Sequence, residues 1–158
     1  MGPLEDALEF FEEGYGCSQA VPGAYAPTLG LGFDQAIRLT APFAAPLCPD
    51  LCGALSGALM VLGLALGTPD CVTGQARAAL SAPVDELNER FRLSNGSFLC
   101  ADIVGVDLRT PEGMQWAKNE GLIATRCVKA VREACQILDL LLARRRADTN
   151  AGVIREDR

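Results

Sequence analysis

Seven cysteines and no histidine in 158 residues limit the chemistry open to this chain. Thiolates bind soft metals and iron–sulfur clusters, and they attack disulfides. Without histidine, the chain by itself can form no Cys/His zinc finger, Rieske-type centre, histidine-ligated haem or Cys–His nucleophilic dyad. Two options remain: a site of four thiolates, holding zinc or an iron–sulfur cluster, or a dithiol. With thiols kept reduced, a disulfide framework is the weaker reading and metal or redox chemistry the stronger one.

Local context selects among the seven. Cys17 follows Gly14-Tyr15-Gly16 and opens an apolar run, Cys52 follows Pro49 and Asp50, and Cys100 precedes Ala101 and Asp102. Each reads as a helix start, where unpaired N–H groups and the positive dipole end are expected to lower a thiol's pKa. Cys127 lies near the start of the last helix, beside an apolar seam at Val128 and Val131, and can face inward. Cys135 is eight residues further along that helix, or about 12 Å at 1.5 Å per residue, too far to share a small site with Cys127. It reads as a small buried hydrophobe beside Leu138 and Leu142. Cys48, extended before Pro49, is close enough to Cys52 for a disulfide or as an alternative ligand. Cys71 reads as a turn or helix-start thiol.

The stretch Cys52–Leu66 is fifteen residues without a charge, short of the roughly 20 needed to span a bilayer, and so predicts a buried core helix. Glycine costs about 1 kcal/mol relative to alanine inside a helix, so it must be offset by close approach. Gly53 and Gly57 share a face with Ser56 and Met60. With Gly16 and Ala54, they are candidates to let an inorganic core sit against backbone.

The elements around these residues read as helices. Leu4, Ala7, Leu8 and Phe11 fall at helical spacing, as do Phe33, Ile37 and Ala41 before Pro42. Val84, Leu87 and Phe91 align, and 122–146 supplies the longest helix, through Val128, Val131, Cys135, Leu138 and Leu142. The only strand signal, Ile103, Val104 and Val106, fits equally well a turn after a short helix. The prediction is all-α: a single-domain helical bundle of about six helices over 1–148, with a buried Gly-rich central helix and a flexible tail over 149–158.

A net charge of −6 gives no phosphate-binding footprint, and the one basic cluster, Arg144 to Arg146, reads as a solvated helix end. Acidic residues near Met1, where an export signal would be basic and then apolar, make a cytoplasmic location the expectation. Gly2 lacks the hydroxyl residue that myristoylation requires at the sixth position. No membrane or nucleic-acid partner is expected.

Four separated motifs, "GYGCSQAV", "CGALSGALMVLGLALG", "NGSFLCADIVGVDL" and "RCVKAVREACQIL", resemble in their order the small prokaryotic C_GCAxxG_C_C family of redox-active proteins. The resemblance spans about Phe10 to Leu142 and includes the core Cys52-Gly53-Ala54-Leu55-Ser56-Gly57. It implies redox activity and a helical fold, and assigns the family's four cysteines to Cys17, Cys52, Cys100 and Cys127. The chain departs from the pattern in three additional cysteines and in Ser18, where a small apolar residue is usual. Similar domains fused to electron-transfer proteins favour an iron–sulfur cluster.

The leading expectation is therefore a cluster bound by Cys17, Cys52, Cys100 and Cys127, exchanging electrons with a redox protein partner. Two alternatives stand beside it: a thiol–disulfide oxidoreductase, with Cys52 attacking and Cys48 or Cys17 resolving, and a structural four-cysteine zinc site or cofactor-free interaction module. The protein is also a candidate homo-oligomer.

Overall fold

The structure, a computed structural model, describes residues 1–47, 50–70 and 72–156, with side chains to Asp148. Among these residues lie eight α-helices and no strand. Helix α1 (Pro3–Glu12) starts on Pro3, whose missing N–H costs nothing at a helix start. Helix α2 (Cys17–Tyr25) follows Gly16, whose N–H donates to Gln19 Oε1 at 3.0 Å. After α3 (Phe33–Thr40) the chain passes Pro42 and reaches α4 (Gly53–Leu66), the predicted uncharged helix.

The count exceeds the expected six because two short or irregular helices carry little periodic signal. Helix α5 (Gly74–Asn95) continues through Pro83, and Thr73 caps it by accepting from the Ala76 N–H at 3.2 Å. Helix α6 (Cys100–Val104) is a single short turn ended by left-handed Gly105, so Ile103 to Val106 form a helix end and turn rather than a strand. Helix α7 (Pro111–Asn119) is capped by Thr110, and a π turn over Ile123–Cys127 leads into α8 (Val128–Glu156). Helix α8 runs past Asp148, the last residue of the domain predicted from sequence. None of the described helices is long and apolar enough to cross a membrane.

The glycine face of α4 meets α2. A Cβ on Gly53 would stand 2.5 Å from Cys17 Sγ and 2.9 Å from the Ser18 nitrogen, and one on Gly57 would stand 2.9 Å from Pro22 Cδ. Pro22 leaves the Ser18 carbonyl without its helical N–H partner, and that carbonyl lies against Gly57. The predicted close approach is thus that of a second helix.

Two apolar clusters result. The larger joins α1, α2, α4, α5 and α8 through residues such as Val21, Leu55, Leu62, Leu87, Phe91 and Leu138, all buried. The smaller gathers Val104, Leu108, Ala117 and Cys127. Along α8 the buried stripe includes Ala130, Val131, Ala134, Cys135 and Leu138, while Val128 is only half-buried. The π turn inserts an extra residue, which turns Cys127 inward ahead of the α-helical stripe.

Candidate functional site

Cys17 is the first residue of α2, Cys52 is the N-cap of α4, and Cys100 is the first residue of α6. Cys127 closes the π turn. These four cysteines, carried by four separate elements, line one cavity of about 20 Å³ with Ala45, Ile103, Val104, Leu108 and Ala130. The cavity lies where the two apolar clusters meet: Cys52 belongs to the larger and Cys17 packs against it, while Cys127 belongs to the smaller and Cys100 packs against that one.

A local strap fixes one pair. Leu51 and Leu99 form an antiparallel bridge, the Cys52 N–H donates to the Phe98 carbonyl at 2.8 Å, and the Cys100 N–H donates to the Asp50 carbonyl at 2.8 Å. Both thiols are thereby presented from the same backbone ladder. Cys17 is held by helix packing instead, its Sγ filling the space that a side chain at position 53 would take.

The electrostatics differ from the helix-start expectation. Burial pushes the Cys17 thiol well above its ordinary range; the neighbouring Cys52, Cys127 and Cys100 add to this in that order, and the Ser18 backbone opposes it. Cys52 is also raised by burial, although the N–H groups of Ala54 and Leu55 pull it down. Cys127 is pushed up to about 12 by burial and then by Cys100 and Cys52. The helix-start amides act in the expected direction, but desolvation of the charged form outweighs them. Free of any ligand, Cys17, Cys52 and Cys127 are neutral thiols at neutral pH.

Cys135 is fully buried in the larger cluster. The Tyr25 hydroxyl stands 2.7 Å from Asp139 Oδ1 and 3.0 Å from the Cys135 carbonyl oxygen. Cys48 and Cys71 lie outside the described residues. Gly53 and Gly57 face α2 and are not part of the cavity wall. The wall residues Ala45, Leu108 and Ala130 carry no local sequence signal of such a role. Among the described residues, no group of three or more His, Cys, Asp or Glu is arranged to hold a single metal ion.

An all-α fold that brings four cysteines from four elements to one apolar cavity defines a thiol-centred helical protein. A family model described as "Putative redox-active protein (C_GCAxxG_C_C)" matches residues 15–141, and the chain belongs to that family. Its core here reads Cys52-Gly53-Ala54-Leu55-Ser56-Gly57, with cysteine before glycine. No curated protein and no solved structure matches the chain.

Proposed function

We propose that Cys17, Cys52, Cys100 and Cys127 hold a small iron–sulfur cluster through their thiolates and that the protein transfers single electrons. The observation that carries this reading is the convergence of these four thiols, in a chain without histidine, on one apolar cavity. The donor set suits iron–sulfur ligation, and the remaining wall residues are apolar. At about 20 Å³ the cavity takes roughly one water molecule, so loading requires the thiols to move outward. Bound there, such a cluster supplies one-electron oxidation and reduction.

The chain's own contributions follow from its geometry. The four thiols lose their protons on loading, and the N–H groups of Ala54 and Leu55, already directed at Cys52, stabilise the resulting charge. The alternative is dithiol exchange initiated by Cys52 with Cys48 or Cys17 resolving, and Cys17 lines the same cavity as Cys52. It is opposed by the burial that keeps Cys52 protonated, since the thiolate is the nucleophile.

Anaerobic purification followed by absorption spectroscopy and iron and sulfide analysis tests the proposal. Cys17→Ser, Cys52→Ser, Cys100→Ser and Cys127→Ser are each expected to deplete iron severely, and Cys135→Ser to retain it. Iron content that survives loss of Cys100 or Cys127 overturns the four-ligand site. An iron-free protein in which only Cys52 and one partner are needed for thiol exchange supports the dithiol instead.

A further inference from the structure

Cys100 and Cys127 sit on short elements, a five-residue helix and a five-residue π turn. Cys100 is tied by its N–H to the Asp50 carbonyl, and Cys127 runs directly into α8. One side chain ties them together. Arg126, the residue immediately before Cys127, donates from Nη1 to the Val104 carbonyl at 2.9 Å and more weakly to the Ile103 carbonyl at 3.4 Å. These are terminal carbonyls of α6, which a helix of this length leaves without intrahelical partners, and a cation is the favoured group there.

Gly105 lies beside this contact. It ends α6 at φ +85°, and a Cβ at this position would stand 2.8 Å from Arg126 Nη1. Ile103 and Val104, whose carbonyls take the guanidinium, line the same cavity as Cys100 and Cys127. The contact therefore joins two segments that both contribute to the cavity wall.

We infer that Arg126 is a positioning residue for the cysteine site: its guanidinium, admitted by Gly105, clamps the end of α6 to the π turn and so holds Cys100 and Cys127 at the cavity. The inference rests on reading the four cysteines as one site, but its test needs no cluster. Reduced, metal-free protein is treated with iodoacetamide and each cysteine's alkylation rate is followed by peptide mass spectrometry.

Arg126→Gln is expected to raise the rates at Cys100 and Cys127 by about tenfold, the scale of losing a charge-assisted hydrogen bond, and to leave Cys135 unchanged. Arg126→Lys, which keeps the charge on a shorter side chain, should fall between. Rates in Arg126→Gln equal to those of the unsubstituted protein overturn the clamp. So does a rise shared equally by Cys135 in a variant that keeps its helical circular dichroism. If Arg126→Gln unfolds, the comparison is decided on Arg126→Lys, where a selective rise supports the clamp and an unchanged rate overturns it. Selective exposure in a protein that takes up no iron would leave the clamp standing while the cluster reading falls, and iron uptake with unchanged rates would do the reverse.

Discussion

Cys17, Cys52, Cys127 and Cys135 are each defined by what burial does to the proton. Cys135 sits about 12 Å along the helix from Cys127, by the rise per residue, and has no place in the cavity. Its thiol is pushed from an ordinary 9.0 up to about 12, first by burial and then by the nearby Asp139 carboxylate. In the unfolded chain the thiol ionises first. The stability it contributes is therefore complete below about pH 9 and is lost as pH rises towards 12. Denaturant melts of the metal-free protein across this interval should show falling stability. Cys135→Ala should fall less steeply, by at most about 1.4 kcal/mol per pH unit, and parallel slopes would show that Cys135 does not titrate between the two states. The same burial predicts that Cys52 in the metal-free protein reacts with iodoacetamide at pH 7 more slowly than an unfolded cysteine. A faster rate would transfer weight to the dithiol reading.

At the scale of elements, the glycines of α4 are not equivalent. Gly57 meets Pro22 Cδ at 2.9 Å from its notional Cβ, whereas a Cβ at Gly63 would meet nothing within 4 Å. Gly57→Leu should therefore force α2 away from α4 and cost about 1 to 3 kcal/mol or more through overpacking. Gly63→Ala should instead stabilise by about 0.5 to 1 kcal/mol, because the helix gains propensity without a clash. Thermal melts of the two variants check both directions, and equal effects would mean that the glycine face is not what brings the helices together. Because Cys17 Sγ lies against Gly53, a variant that moves α2 should also lower iron content in the proposed site.

Across the whole molecule, the four thiols join two unequal cores. The larger holds α4 and most of α8, while the smaller rests on a few residues around Val104, Leu108 and Ala117. Less buried apolar surface means a lower free energy of local opening. Hydrogen exchange on metal-free protein should accordingly reach α6 and α7 before α4 and α8. Loading the proposed site should slow α6 and α7 selectively, since ligands from both cores would then share one centre. Uniform exchange through all helices, or no change on loading, would show that the cysteines do not couple the two cores.

Much of this was legible in the residues themselves. Uncharged Cys52–Leu66 was too short for a membrane span and read as a buried helix, Gly53 and Gly57 called for a close neighbour, and Cys17, Cys52 and Cys100 carried the marks of helix starts. These features depend on local spacing and backbone chemistry, which a sequence displays directly. The π turn at Ile123–Cys127, the clamp from Arg126 and the wall of Ala45, Leu108 and Ala130 left no such mark, since each exists only through contact with segments distant in the chain. The direction of the thiol shifts was likewise decided by tertiary structure. A helix start lowers a thiol's pKa by local dipoles that sequence can anticipate, but desolvation depends on what the rest of the chain packs around the sulfur, and here it is the larger effect.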